Sequence, residues 1–379
     1  MYTRLLDPLI HSFFLFGPRA IGKSTWLRQH YNDALWINLL RNDQYLELLQ
    51  DKALFRKMVL GKKSGWVVVD EIQRLPEILN EIHDLIAEHG DKFKFALSGS
   101  SARKLKRQGV NLLAGRAITK NFFPLVCKEL NFNYDIEHAL KYGMLPDVHN
   151  KKDIAQDILK SYVGTYLREE IQQEALTRNL DSFQRFLSVA AQVNGEIVNI
   201  NNISRDCGVT RSTCQNYFDI LVDTLVGNFL PAWQPKAKVR ERAKPKFYFF
   251  DTGIVNALTN DFDFAERGSS VKGQLLETYI LHELRAFSEY HNPNLKISYW
   301  RGQNQKEVDF IVKYNSMQIG IEVKSSSKWR FEYGKSVREM PLDKRYGVYL
   351  GDIELQEDGV DVLPIKSFLR KLYNFEVFT

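Results

Sequence analysis

The sequence predicts a mixed α/β chain in three parts: an α/β domain with a mainly parallel sheet, an all-α middle with one hairpin, and an α+β C-terminal part. Three observations predict it. Short apolar runs alternate with helix-period stretches over the first 130 or so residues, the pattern of a parallel sheet covered on both faces. Between about 181 and 258 the pattern changes to three helices and a hairpin, and beyond about 268 to a helix followed by two alternating strands. At roughly 100–200 residues per domain, 379 residues are too many for one core. The expected boundaries are 1–150, 151–264 and 265–379.

Composition narrows the class. Hydrophobic residues at 44% and charged residues at 26% are ordinary for a soluble globular chain, and 11 Pro and 22 Gly exclude a collagenous or low-complexity one. Cys127, Cys207 and Cys214 are too few for a disulfide framework and lack metal-ligand spacing, which suggests a reducing, cytoplasmic home. No apolar stretch approaches the roughly 20 residues of a membrane span, and the N-terminus, with Asp7, does not read as a signal peptide. A net charge of +6 is compatible with nucleic acid but argues for it only where the charge clusters.

Taken in order, 12–16 reads as a strand, 23–30 as a helix, 34–38 as a strand and 66–69 as a strand apolar on both faces. A helix over 75–88 and strands over 94–97 and 118–122 follow. A Gly- and Pro-bearing turn at 142–146 then leads into one long charged amphipathic helix over 151–176.

Gly17-Pro18-Arg19-Ala20-Ile21-Gly22-Lys23-Ser24 fits G-x-x-x-x-G-K-[ST] in full, after an apolar strand and at the opening of a helix, with Thr25 next. Glycines let the backbone N–H groups face phosphates, and the helix N-terminus adds its positive end. Lys23 is expected to reach the β- and γ-phosphates of ATP, and the Ser24 hydroxyl to ligate Mg²⁺. Val67-Val68-Val69-Asp70-Glu71 ends a second buried strand, where Asp70 would hold the Mg²⁺ and Glu71 act as general base on the attacking water. Ser98, in Ser98-Gly99-Ser100-Ser101, reads either as a water-orienting group or as part of a capped turn. Arg116 reads either as a surface cation or as an arginine finger for a neighbouring site.

Together, Gly17 to Thr25, Asp70-Glu71-Ile72-Gln73, Leu97-Ser98-Gly99-Ser100-Ser101 and Leu113-Ala114-Gly115-Arg116-Ala117 resemble AAA+ ATPases of the prokaryotic AAA-14 type, usually followed by a DUF4143-type region. The resemblance continues in 162–170 and in Lys246-Phe247-Tyr248-Phe249-Phe250-Asp251-Thr252-Gly253, and so spans nearly the whole chain. It implies a homo-oligomer, a hexameric ring with sites at subunit interfaces, and makes Arg116 the finger candidate. Many AAA+ motors carry Asn after the fourth strand, where this chain has only Ser or Gly.

In the middle part, helices over 181–194, 203–207 and 210–225, with a Gly208 turn and Thr210-Arg211-Ser212-Thr213 opening the third, follow helix-turn-helix grammar. Strands at 228–233 and 246–250 would make the wing of a winged helix. Its tip carries Lys236, Lys238, Arg240, Arg242 and Lys244 against Glu241 alone. With Arg211, these residues suit contacts to DNA phosphates, directed by backbone or shape and including branched forms. A solvated loop, or packing between ring subunits, is the rival reading.

In the last part, strands 306–314 and 317–324 are joined by Asn315-Ser316, and a two-residue loop sets paired residues to sum to 631. Asp309 then faces Glu322, and Glu307 faces Lys324, on one side of the hairpin. Carboxylates about 5 Å apart repel unless a divalent metal lies between them. Glu277, on a helix over 275–288, is a third candidate ligand. Glu277, Asp309, Glu322 and Lys324 resemble the motif positions of the PD-(D/E)xK restriction-endonuclease-like fold, with Val308 where the motif has proline. The alternative is a solvent-facing charged hairpin neutralised by Lys324, Lys313 and Arg301.

The expected function is therefore an ATP-hydrolysing ring ATPase that binds and remodels DNA. An ATP-gated, metal-dependent nuclease and a nucleotide-switched regulator with little turnover are the alternatives.

Overall fold

A computed structural model describes residues 2–101, 105, 113, 115–167, 180–234, 244–263, 269–291, 295–302 and 306–379. They fall into two compact units, one of Arg4–Pro124 with Asp223–Val226, the other of Met1–Thr3, Leu125–Val222 and Gly227–Thr379.

The first unit is built on five strands: β1 (Phe13–Phe16), β2 (Leu35–Asn38), β3 (Gly65–Asp70), β4 (Phe93–Gly99) and β5 (Ile118–Asn121). Their order is β2-β3-β4-β1-β5, and every neighbouring pair is parallel. Unbroken apolar runs make such strands because both faces are covered. Phe14, Phe16, Val67, Val69, Phe95 and Leu97 enter one core with Phe55, Ile82 and Leu85 of the flanking helices. On the opposite face Phe13 meets the rings of Trp26 and Tyr31. Each such buried side chain stabilises the layer by roughly 1.5–3 kcal/mol. The strand order places β4 between the strand that feeds the glycine-rich loop and the strand that ends in Asp70.

Two helices, Asn42–Gln50 and Lys52–Gly61, lie where no element was expected. Asp51 divides them: it ends the first and its carboxylate caps the second by accepting from the Ala53 N–H at 2.9 Å.

The second unit carries helices Leu180–Gln192, Ile200–Cys207 and Arg211–Asp223, then an antiparallel pair, β6 (Gly227–Leu230) and β7 (Lys246–Phe249), in register from Gly227↔Phe249 to Leu230↔Lys246. Helices Thr252–Thr259 and Ser269–His291 lead to a mixed six-stranded sheet. Its strands are β8 (Lys296–Arg301), β9 (Glu307–Tyr314), β10 (Met317–Lys324), β11 (Lys344–Tyr349), β12 (Leu355–Glu357) and β13 (Val360–Pro364), in the order β12-β13-β11-β10-β9-β8.

The long helix expected over 151–176 is not continuous. A 3₁₀ turn, Lys152–Ile154, and an α-helix, Ala155–Ser161, give way to a π-helical stretch, Tyr162–Leu167. Gly164, between β-branched Val163 and Thr165, has low helix propensity and weakens the i→i−4 ladder there. Residues 168–176 lie outside the described residues.

Asp251 explains why the 246–253 motif is so specific. Its buried carboxylate caps helix Thr252–Thr259 through the N–H groups of Gly253 and Ile254, and also accepts from the Met144 N–H at 2.7 Å. Gly143 makes room for it, since a Cβ there would stand 1.9 Å from an Asp251 carboxylate oxygen.

Candidate active site

The loop after β1 is shaped by its glycines. A Cβ on Gly17 would lie 2.4 Å from the Phe122 carbonyl oxygen, and Gly22 has φ +95°, a conformation side chains disfavour. Pro18 and Ile21 are buried, Arg19 is half-buried, and Ala20 and Thr25 are exposed. Lys23, the first residue of helix Lys23–His30, is buried, and its ammonium donates to the carbonyls of Gly17 at 2.6 Å and Pro18 at 2.8 Å. The cation thus stands inside the curl of the loop, where a phosphate would take over its bonds.

Asp70, at the end of β3, is held on both carboxylate oxygens. Ser24 Oγ donates to one at 2.8 Å, and Ser98 Oγ, at the end of β4, donates to the other. The intervening β4 is what brings Ser98 into the gap. Next to it Glu71 adopts a left-handed backbone, φ 62° and ψ 47°, which is unfavourable for a residue with a side chain and turns it away from the strand direction.

Sequence reading assigned no role to Gln73. Its buried amide nitrogen donates to Glu71 Oε2 and, at 3.0 Å, to Ser100 Oγ, so it links the end of β3 to the end of β4. Its carbonyl oxygen is buried with no hydrogen-bond partner among the described residues. Gly99 gives it space: a Cβ there would come within 2.5 Å of that oxygen. The signal available was an amide side chain two residues after Glu71, in the 3₁₀ turn Ile72–Arg74. Arg116 is exposed and rests its guanidinium 2.7 Å from His83 Nε2, apart from the Lys23–Asp70 group.

In the second unit, β9 and β10 pair from Tyr314↔Met317 to Phe310↔Ile321, each pair summing to 631 as expected. The ladder stops there, so the cross-strand pairs of Asp309 with Glu322 and Glu307 with Lys324 do not form as drawn from the register. Beyond Ile321 the Asp309 carboxylate accepts from the Val323 N–H at 2.7 Å, while on its other edge β10 pairs with β11 as far as Lys324↔Tyr349. Asp309 and Glu322 are nonetheless both buried, and Lys324 joins them, with Nζ 2.5 Å from Glu322 Oε1 and 3.9 Å from Asp309 Oδ2.

Glu277, from helix Ser269–His291, enters the same cluster. Burial and then the Asp309 charge push its carboxyl up to about 7, while Lys246 and Tyr248 pull it back. Tyr248 donates to Glu277 Oε2 at 2.7 Å, Lys246 Nζ lies 3.5 Å from the same oxygen, and Lys246 also pairs with Glu307. Burial, and next Asp309, raise the Glu322 carboxyl well above the ordinary range. Among the described residues no three His, Cys, Asp or Glu side chains form a ready metal cage. The donors still suit a hard divalent cation, and Glu322 Oε2 is buried with no hydrogen-bond partner among the described residues. Sequence reading placed Lys246 and Tyr248 in a hairpin strand and in the 246–253 motif but gave them no role at this cluster, because their partners come from far along the chain.

Of the basic residues expected at the hairpin tip, Lys236, Lys238, Arg240 and Arg242 lie outside the described residues. Arg211 and Lys244 are exposed and line one cavity of about 250 Å³ with Asn199, Asn201, Gln215 and Phe229.

Three family models match. The AAA domain of the AAA-14 type covers residues 11–131, a domain of unknown function (DUF8612) covers 133–264, and another (DUF4143) covers 272–368. Among curated proteins, an uncharacterized protein of Mycobacterium tuberculosis is 26% identical over 316 residues, covering 83% of this chain and 70% of its own length. An uncharacterized protein of Methanocaldococcus jannaschii is 23% identical over 389 aligned residues, covering 93% of this chain and 83% of its own length. A solved Walker-type ATPase of Pyrococcus abyssi aligns with 65% of this chain and 90% of its own, at 13% identity and a TM-score of 0.43. No described helix is long and apolar enough to cross a membrane. With its glycine-rich loop and its Ser24–Asp70–Ser98 linkage in place, the chain carries a P-loop AAA domain of the AAA-14 type at 11–131 and a DUF4143 region at 272–368.

Proposed function

We propose that this chain hydrolyses ATP in a homo-oligomeric, hexameric ring and uses the cycle to bind and remodel DNA, branched forms included. The observation that carries the ATPase part is the Asp70 carboxylate, held by Ser24 on one oxygen and Ser98 on the other, with Glu71 turned out of the strand beside it. Gly17 to Thr25 would cradle the nucleotide phosphates, with Lys23 leaving the loop carbonyls for the β- and γ-phosphates. Ser24 and Asp70 are the residues that would hold Mg²⁺, which supplies charge neutralisation on the phosphate oxygens. Glu71 takes the proton of the attacking water, and Gln73 holds the Glu71 carboxylate in position. Arg116, exposed on its own subunit, is the finger offered to a neighbour's nucleotide.

The DNA part rests on basic residues. Helices Leu180–Gln192, Ile200–Cys207 and Arg211–Asp223 with the β6–β7 pair have the element order of a winged helix, and the shared cavity of Arg211 and Lys244 supports a phosphate-binding role. Glu322 Oε2 favours a second reading, in which 265–379 is a restriction-endonuclease-like domain. Asp309, Glu322 and Glu277 would then ligate a divalent metal and Lys324 would steady the reacting phosphate, making this an ATP-gated nuclease.

Phosphate release by wild type and Glu71→Gln, without DNA and with single-stranded, duplex and four-way-junction DNA, tests both readings when cleavage is followed in the same samples. Turnover that rises with one DNA form, leaves it intact and disappears in the variant is the result expected. Cut DNA would favour the second reading, and a negligible rate in every condition would leave a nucleotide-switched regulator.

A further inference from the structure

Lys246 is an unusual residue to find closed inside a protein. Its side chain is only 5% exposed, at the first position of β7. Its partners are all distant: Glu277 Oε2 at 3.5 Å, Glu307 Oε1, and the face of the Tyr299 ring, 5.5 Å from the centroid. A buried ammonium is costly unless carboxylates surround it, and these carboxylates border the Asp309–Glu322–Lys324 group. Two carboxylates, Glu277 and Glu307, lie against its ammonium.

The placement has a consequence for any metal. Lys246 and the Tyr248 hydroxyl both engage Glu277 Oε2, one of the two oxygens that this carboxylate of helix Ser269–His291 could offer a metal. On the other side of the cluster, Glu322 Oε2 is left without a bond among the described residues. The donors are thus divided: Lys246 occupies Glu277 Oε2, while on the Asp309–Glu322 side Lys324 takes Glu322 Oε1 and leaves Oε2 alone.

We propose that Lys246 is a resident cation of this cluster, which stands in for a metal ion on the Glu277 side and limits the site to one divalent ion, weakly bound, at Asp309 and Glu322. The inference rests on the metal-site reading given above and adds its regulation. Because Lys246 begins the returning strand of the β6–β7 pair, the same ammonium ties that hairpin to the acidic cluster. Tighter metal binding then requires Lys246 to give up Glu277.

Mn²⁺ titrations of the nucleotide-free, full-length protein, with free ion followed by electron paramagnetic resonance, test this without any activity assay. Wild type, Lys246→Met and Lys246→Arg are each compared with and without Asp309→Asn, so that only ions depending on Asp309 are counted. Lys246→Met is expected to bind that ion at least about tenfold more tightly than wild type, and Lys246→Arg within about threefold of it. Mn²⁺ should also raise the unfolding temperature of Lys246→Met more than that of wild type, a readout that survives a loss of intrinsic stability. An ion seen only in Lys246→Met would support the proposal in its strongest form. Equal affinity in wild type and Lys246→Met would overturn it while leaving the metal site intact. No Asp309-dependent ion in any variant would remove the metal-site reading and the proposal together.

Discussion

At the scale of single residues, the ATP site is a short set of side chains whose positions follow from two strand ends. In the proposed cycle Glu71 and Lys23 carry separable tasks. Glu71→Gln is expected to lower phosphate release by at least about 100-fold while nucleotide still binds, since only the base is removed. Lys23→Ala is expected to abolish binding as well, and fluorescent-nucleotide titrations alongside phosphate release distinguish the two. Gly99→Ala is a sharper test, because its added Cβ would press within 2.5 Å of Gln73 Oε1. Displacing Gln73 should slow turnover and leave nucleotide affinity close to wild type. Equal turnover in Gly99→Ala would show that Gln73 does not position Glu71.

Individual elements are secured by buried carboxylates with unusual environments. Asp251 caps helix Thr252–Thr259 and tethers Met144, and burial pushes it up to about 6 against the pull of those N–H donors. Asp251→Ala is expected to cost about 2 kcal/mol, at the upper end for removal of a cap, and to show as a lower denaturation midpoint. On helix Ser269–His291, Glu283 is fully buried and accepts from the Cys127 N–H at 2.8 Å and from the hydroxyls of Tyr279 and Tyr373, each at 2.8 Å. Burial drives its carboxyl up to about 7. The folded chain therefore holds this proton after the unfolded chain has released it. Its contribution to stability is fully present at low pH and is lost as pH rises from about 4.5 through 7, on the order of 3 kcal/mol. Unfolding midpoints across that window should fall with pH in wild type and fall less steeply in Glu283→Gln.

For the whole molecule, the tests concern subunits and DNA. Arg116→Ala and Lys23→Ala proteins should each be inactive alone, and mixing them should restore part of the turnover if a ring places the arginine of one subunit in the site of the next. No recovery on mixing would leave Arg116 as a surface residue against His83. Arg211→Ala with Lys244→Ala should weaken DNA binding and make its salt slope shallower by about one for each phosphate no longer neutralised, measured by fluorescence anisotropy from low to moderate salt. An unchanged slope would remove DNA phosphates from that cavity.

What could be read from the sequence was local. The glycine-rich loop, Asp70 and Glu71 announce themselves because phosphate binding needs particular residue types at fixed spacing on consecutive positions. Strands such as Phe13–Phe16 and Phe93–Gly99 show as apolar runs, and helix Lys23–His30 lies where its pattern put it. Helices Asn42–Gln50 and Lys52–Gly61 escaped notice because their apolar positions are interrupted by charges and joined through Asp51. The register of the β9–β10 hairpin followed from its two-residue turn, but its length did not, because the Asp309 side chain takes the Val323 N–H where the ladder ends. Other features needed the folded chain: β4 inserted between β1 and β3, the Gln73 link from Glu71 to Ser100, and Lys246 against Glu277 and Glu307. The physical reason is the same in each case. Spacing along a chain dictates which backbone conformations and local ligands are available, whereas the charge a buried side chain meets depends on residues brought to it from about 30 to 60 positions away by the packing of the sheet and its helices.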